Sequence, residues 1–375
     1  MIVRDMFVSR LPSSVVFAHF QHSQFNLFTM KVISASELRD KGVRLFEACG
    51  VPHADAEIVT DELVESSLMG LDSHGIIRFP QYVDALLAGQ LKAGGVTTVV
   101  KESPTTATVD CGGNFGQVGA RKMTDVAIAK AKAANVACVI GVNCGHVGRL
   151  GSYPQKVAEQ SLFGFSVVNN PVRGHWMLPF GGSEPRLGTN PIAYAAPTSG
   201  DPIMLDMSTC VLPEGKIRSL MQQGKQAPLG VLVDSEGNPT TDPAKLYGPP
   251  RGALLPLGGE FGYKGFGLGL LVEILGGLLG GYSSAQDHHP HINGMCLIAI
   301  NPDAFCGRER FRELVDEMSA YMLSSRPTPG SRGVMMPGGP EFSTKRKRLA
   351  EGLPIADETW RLFAEAGQRV TGSIE

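Results

Sequence analysis

The sequence lacks most of the short signatures that announce nucleotide or metal chemistry. No Gly-x-Gly-x-x-Gly and no Gly-x-x-x-x-Gly-Lys-Ser/Thr run occurs, so any dinucleotide site is not built on the usual phosphate turn. His-Glu-x-x-His and Gly-x-Ser-x-Gly are missing too, which removes the common zinc-hydrolase and serine-hydrolase readings. The seven Cys include no Cys-x-x-Cys pair and offer no zinc spacing, so no metal site is expected from them. With no secretory signal in view, they read as reduced thiols of a cytoplasmic protein. Charge of one sign is also lacking: 34 basic against 36 acidic residues give a net charge of -2. Neither a nucleic-acid surface nor an anionic membrane is expected as partner. The longest apolar run, Phe266 to Gly281, contains Glu273 and falls short of the roughly 20 residues of a membrane span. It reads as a buried core helix.

Glycine is what the chain has in quantity, 46 residues clustered in short runs rather than spread as low complexity. Such runs mark tight turns and close backbone approaches, to a ligand among other things. At 375 residues there is room for two or three domains. Met1 to Thr29 has no clear period and reads as a disordered extension, with Met30 opening the folded part.

Ser34 followed by Glu37 is a capping-box pattern that opens a helix ending near Gly50. A second helix follows Pro52 and breaks at Gly70. Asp72 or Ser73 can cap a third, which runs through Tyr82 to Gly89. Arg121 to Ala134 predicts a helix stopped by Asn135, and Val136 to Val142 a buried strand. A helix around Gln155 to Gln160 and strands at Phe165 to Val168, Pro191 to Ala196 and Pro202 to Met207 follow. Helices are predicted again at Arg308 to Leu323 and Ala356 to Ala366. The pattern is α/β, a mixed α+β chain rather than a clean βαβ series.

Two histidines stand out. His74 lies between two predicted helices, followed by Gly75 and, four residues on, by Arg78. On one helical face these would set a titratable imidazole beside a guanidinium fork suited to a carboxylate. Oxidising a 2-hydroxy acid needs such a base and such a cation. The plainer reading, His74 as a helix cap and Arg78 solvated, is open on these residues alone. His146 follows the buried strand within Gly145-His146-Val147-Gly148, at a strand carboxyl end of the kind where α/β sheets bind ligands. A histidine satisfied by turn backbone fits there equally well. His288, His289 and His291 read as a solvated loop, and Lys345 to Arg348 as a solvated basic helix face.

The ordered set of motifs resembles the malate/L-lactate dehydrogenase family that is distinct from the Rossmann-fold enzymes. The matching stretches are Asp72-Ser73-His74-Gly75 with Arg78 and Tyr82, Gly116-Gln117, Gly145-His146, and Leu187-Gly188-Thr189-Asn190-Pro191. Asp206-Met207-Ser208-Thr209, Gly215-Lys216, Leu255-Pro256-Leu257-Gly258-Gly259, Lys264-Gly265-Phe266-Gly267 and Met336-Pro337-Gly338 continue it from about Lys31 to the C-terminus. The resemblance implies a homodimer with a non-Rossmann nicotinamide-binding domain built on a largely antiparallel sheet. It places that domain at residues 146–284, with a helical substrate and dimerisation domain from residues 30–145 and 285–375. His74 and His146 are implied as catalytic, and Ser73, Arg78, Thr189 and Asn190 as substrate-binding. Cofactor contacts are implied at Asn170, Met204, Leu205, Asp206, Leu254, Leu255, Lys264, Pro337 and Gly338. The cofactor would be NAD or NADP, with NAD the leading reading.

The expected activity is hydride transfer between that cofactor and a small 2-oxo or 2-hydroxy acid. Reduction of a cyclic imino acid, or nucleotide binding without catalysis, are the alternatives. Two departures from the family pattern lie near the cofactor region: Cys210-Val211-Leu212-Pro213-Glu214 before Gly215-Lys216, and Val231 where a Trp is usual.

Overall fold

The computed structural model describes residues 30–285 and 293–372. The expectations for Met1 to Thr29 and for His288, His289 and His291 fall outside the described residues.

Strand β1 (Met30–Ile33) leads into α1 (Ala35–Ala48) and α2 (His53–Leu68). Ser34 caps α1 as expected, its hydroxyl accepting from Glu37 N at 3.1 Å. A tight turn at Asp72–His74 precedes α3 (Arg78–Leu87), so the third helix begins later than expected and neither Asp72 nor Ser73 caps it. Next come β2 (Thr98–Glu102), β3 (Thr106–Asp110), α4 (Gly116–Ala134) and β4 (Val136–Cys144). Asn135 ends α4 at φ 71°, a conformation that Asn adopts at little cost.

Helix α5 (Ser152–Ala158) starts three residues before its expected position, and β5 (Phe163–Val168), β6 (Ile192–Ala196) and β7 (Ile203–Met207) follow. Then come α6 (Glu214–Gln222), β8 (Leu232–Val233), β9 (Pro239–Thr240), β10 (Ala253–Leu254) and α7 (Tyr263–Val272). The chain closes with β11 (Asn293–Ile300), α8 (Arg308–Leu323), α9 (Gly339–Glu351), β12 (Leu353–Ala356) and α10 (Asp357–Thr371).

The main sheet has seven strands in the order β2-β3-β4-β11-β5-β6-β7. Every pairing is antiparallel except β3–β4. The largely antiparallel sheet is therefore present, but it joins strands from both sides of the expected limits at 145/146 and 284/285. Long-range pairing of β11 between β4 and β5 causes this, and no local pattern announces it. Helices α4 and α5 cover the sheet over a core of Met123, Ala127, Val139, Tyr153 and Leu297. Fully burying each of the larger of these contributes about 1.5–3 kcal/mol.

β1 pairs with β12, which ties the two ends of the described chain together. Around that pair α1, α2, α3 and α10 bury Leu38, Phe46, Leu63, Phe79 and Phe363. A helical unit from N- and C-terminal segments is thus present. A small three-stranded sheet, β10-β8-β9, packs with α6 over Ile217, Val231, Leu232 and Leu254.

The run expected as a buried core helix is buried on one side only. Gly269, Val272, Glu273 and Gly276 face inward, whereas Leu270, Leu271, Ile274, Leu278 and Leu279 are exposed. The basic run on α9 is not simply solvated either. Lys345 pairs with Glu65, and Arg348 grips Asp72 through two bonds of 2.8 and 3.1 Å.

Candidate active site

The His74 turn is held by backbone bonds from His74 N to Leu71 O (2.9 Å) and from Gly75 N to Asp72 O (3.1 Å). A Cβ at Gly75 would lie 3.0 Å from Leu63 O and closer still to Ser67, so only glycine lets this turn press on α2. Arg348 engages Asp72, which is why that carboxylate does not cap α3. Ser73 Oγ meets His74 Nδ1 at 3.0 Å, leaving Nε2 without a hydrogen-bond partner among the described residues. Arg78 opens α3, and its Nε donates to Ser73 O at 2.8 Å while Nη1 donates to Gln81 (2.8 Å). Its Nη2 has no partner among the described residues. His74 and Arg78 are joined through Ser73, not through a shared helical face.

His146 lies in the loop between β4 and α5. Its ring stacks on His74 with centroids 5.9 Å apart and planes 17° apart. Tyr82 Oη is 2.7 Å from His146 Nδ1 and accepts from Gln117 Nε2 at 2.8 Å. If the tyrosine proton is given to Nδ1, neutral His146 carries its own proton on Nε2. Tyr82 and Gln117 were part of the matched stretches but had no expected role. Their signal in the sequence was only that Gln117 is polar near the start of a helix that packs inward.

Burial, then the charges of Arg78 and Arg149, lower the His74 pKa from 6.5 to about 4. Burial, Arg78 and His74 hold His146 well below the ordinary range. Burial raises Tyr82. At neutral pH both imidazoles are therefore uncharged.

Arg149 was not anticipated from the sequence. It is 3% exposed and donates to Ser152 Oγ (3.1 Å), Gln155 Oε1 (3.0 Å) and Met204 Sδ (3.2 Å), with Nε buried and unpartnered. It fastens the His146 loop to β7. Asp206 accepts from Gly151 N at 2.7 Å, and burial raises its pKa. Met204 N donates to Pro337 O at 3.0 Å, and Gly338 packs on the Met204 backbone. Four of the expected cofactor residues, Met204, Asp206, Pro337 and Gly338, thus meet beside the His146 loop. Leu205 lies between Met204 and Asp206 on β7, half-buried.

The other expected residues form a second group. Thr209 N donates to Thr189 O and Leu257 N to Thr209 O, both at 2.9 Å, which joins the Thr189 loop to the segment that follows β10. Asn170 Nδ2 approaches Thr189 Oγ1 at 3.5 Å. Lys264 is exposed at the start of α7, near the Phe261 ring. Asn190 is fully buried, its Nδ2 donating to Gly269 O (3.0 Å) and Glu273 Oε1 (2.8 Å). Its amide nitrogen is committed to the fold, while its Oδ1 is buried without a hydrogen-bond partner.

The departing segment joins this group to the His74 turn. Val211 N donates to Leu255 O at 2.9 Å, and a Cβ at Gly215 would lie 3.5 Å from Ser73 Cβ. Val231 fills the core with Cys210 and Ile217. Arg149 Nε is buried without a partner beside Met204 and Asp206, where a polar group of a ligand would complete it. The residues present fit a nicotinamide cofactor. Among the described residues no cluster of three His, Cys, Asp or Glu could hold a metal ion.

The malate/L-lactate dehydrogenase family model matches residues 33–363. The chain belongs to that family. It is 38% identical to the malate dehydrogenase of Pyrococcus horikoshii over 338 residues, 88% of this chain and 92% of that one. It is 39% identical to the L-sulfolactate dehydrogenase of Methanocaldococcus jannaschii over 332 residues, 87% and 93% of the two chains. The solved structure of the sulfolactate dehydrogenase from M. jannaschii superposes with a TM-score of 0.82 at 35% identity, covering 92% of this chain and 98% of that one. The delta1-piperideine-2-carboxylate reductase from Pseudomonas syringae pvar. tomato superposes at 0.77 with 28% identity, covering 90% and 99%. Family membership makes the protein an oxidoreductase of the 2-hydroxy-acid class.

Proposed function

We propose that the protein is a nicotinamide-dependent dehydrogenase interconverting a small 2-oxo acid and its 2-hydroxy acid, in which His74 moves the proton. The observation that carries this reading is the neutral, stacked His74–His146 pair set beside Arg78. A bound nicotinamide supplies or accepts the hydride at C2. The side chains of this chain do the rest. Arg78, with Nη2 uncommitted, holds the substrate carboxylate through charge-assisted bonds. His74 Nε2, fixed by Ser73 on the opposite ring nitrogen, takes the hydroxyl proton in oxidation and returns it in reduction. His146, oriented by Tyr82, offers its Nε2 proton to the same oxygen. An anionic substrate offsets the charge of Arg78, which raises the pKa of His74 toward the working range.

The cofactor would bind across Met204–Asp206, Pro337–Gly338, Leu254–Leu255 and Lys264, with NAD favoured over NADP. The exposed Leu270, Leu271, Ile274, Leu278 and Leu279 support a homodimer, since so large an apolar face is rarely left to water. We place the protein in the cytoplasm. The structural match to a piperideine-carboxylate reductase favours a second reading, reduction of a cyclic imino acid by the same groups.

A panel of 2-oxo acids and cyclic imines, assayed with NADH and NADPH for loss of reduced-nicotinamide absorbance, tests both. Turnover of a 2-oxo acid supports the first reading and turnover of imines alone the second. No turnover by well-folded protein would overturn both.

A further inference from the structure

Helix α6 places a second guanidinium at the substrate corner. Its first turn lies beside the His74 turn, since a Cβ at Gly215 would make ordinary van der Waals contact with Ser73 Cβ at 3.5 Å. Glu214, beside it, has a side chain only 14% exposed, and its Oε1 takes three donors. These are Arg218 Nη2 at 2.7 Å, Arg218 Nε at 3.0 Å and Tyr247 Oη at 2.8 Å. Tyr247 is braced against the Trp176 ring at 5.8 Å. The other oxygen, Oε2, and the outer nitrogen of Arg218, Nη1, have no partner among the described residues. Both charges lie near enough to Arg78 to act on it, Arg218 against its protonation and Glu214 for it.

The balance of charge among Arg78, Arg218 and Glu214 is positive, while Asp206 lies near enough to Arg149 to act with it. Arg78 bonds to a carbonyl and an amide, and Arg149 to a hydroxyl, an amide and a thioether, so neither has a directly bonded carboxylate. Both histidines are neutral. One carboxylate, Glu214, stands against Arg78 and Arg218 together. A substrate with a single carboxylate leaves that surplus in place, whereas a second acidic group offsets it.

We propose that Arg218 receives the distal anionic group of a 2-oxo acid carrying two acidic groups, a carboxylate or a sulfonate, and that Glu214 tunes how strongly it does so. The inference rests on the reading above, in which Arg78 holds the first carboxylate. Arg218 Nη1 can donate to the distal group without leaving Glu214. Arg is suited to this, because its planar fork serves a fixed acceptor on one side and an incoming one on the other. Glu214 partly cancels the charge that the distal group meets, which makes it a selectivity residue and not a catalytic one.

The test uses the full chain with oxaloacetate, sulfopyruvate and pyruvate, and reads the ratio of kcat/KM for each dianion to that for pyruvate. In Arg218→Met both ratios should fall about tenfold or more, the loss of a charge-assisted bond. Arg218→Lys, which keeps the charge and loses the fork, should fall between. Glu214→Gln should raise the ratios. A fall confined to oxaloacetate or to sulfopyruvate would identify which distal acid is recognised. Thermal melting of each variant separates loss of fold from loss of selectivity. Turnover with unchanged ratios in folded Arg218→Met would overturn this inference and leave the dehydrogenase reading standing. No turnover of either dianion by the unaltered protein would overturn this inference, and the dehydrogenase reading would then stand or fall on the wider panel.

Discussion

His74 and His146 stack with their ring centroids 5.9 Å apart, yet each is tied by its Nδ1 to a different neighbour, Ser73 and Tyr82. Each ring therefore keeps its Nε2 without a hydrogen-bond partner among the described residues. Two adjacent imidazolium charges would repel, and the nearby Arg78 adds to that, so the pair holds at most one proton readily. One ring can then carry the moving proton while the other stays a neutral donor.

Replacing His74 by Ala should lower kcat by about 10²–10⁴-fold, the usual contribution of a positioned acid or base. Cofactor affinity, followed by quenching of protein fluorescence on titration with NADH, should change little. Near-normal turnover in a folded His74→Ala protein would remove it from the mechanism.

The direction of the reaction sets the pH dependence. Under the proposed mechanism reduction needs protonated His74 in the free enzyme, where burial lowers its pKa to about 4. Its kcat/KM should therefore rise as pH falls from 8 toward 5, by about tenfold per unit where no other group intervenes. Oxidation needs the neutral ring, and its kcat/KM should show no acid limb from His74 down to about pH 4. A reduction profile breaking near pH 6.5 instead would mean an ordinary, solvated imidazole. The fold should also lose stability as pH falls from about 6.5 to about 4, because the unfolded imidazole binds its proton first. Chemical denaturation of His74→Asn across that range should show a shallower loss.

Tyr82→Phe removes the middle of the Gln117–Tyr82–His146 relay. Gln117 Nε2 is then buried without an acceptor, at a cost of about 1–3 kcal/mol, and His146 is freed to change tautomer. Both a lower Tm and a lower kcat are expected. If Tm falls while kcat and its pH profile do not move, the tyrosine is only structural.

Much of this was legible because it is local. The Ser34 cap, the Asn135 stop and the strand before His146 each depend on neighbours within a few residues. The start of α3 was not legible, because Asp72, a good cap by type, is held by Arg348 from α9. The same pairing defeats the reading of Lys345 to Arg348 as a solvated face, since their partners Glu65 and Asp72 lie far away in the chain. Asn190 was expected at the substrate because it lies in a matched motif. Its Nδ2 is held by Gly269 and Glu273, which lie 79 and 83 residues further along the chain. The expected domain limits missed β11, whose neighbours in the sheet are separated from it by more than a hundred residues. Motif order named the candidate groups; only packing showed which of them lie together.

Gly116 shows how the fold and the site depend on one contact. A Cβ there would lie 2.2 Å from Gly145 O and 2.5 Å from both the carbonyl carbon and oxygen of His146. These are backbone atoms, so no side-chain rotation can relieve the overlap. Helix propensity favours Ala over Gly by roughly 1 kcal/mol, but forced overpacking costs about 1–3 kcal/mol or more, so the clash wins. Gly116→Ala should lower Tm and displace His146 from Tyr82, with a loss of turnover larger than the loss of stability alone would give. Gly267 is the control: it lies exposed within α7, and a Cβ there meets nothing within 4 Å. Gly267→Ala, melted without cofactor, should be neutral or gain about 0.5–1 kcal/mol. Equal destabilisation by the two substitutions would refute the close approach of α4 to the His146 loop.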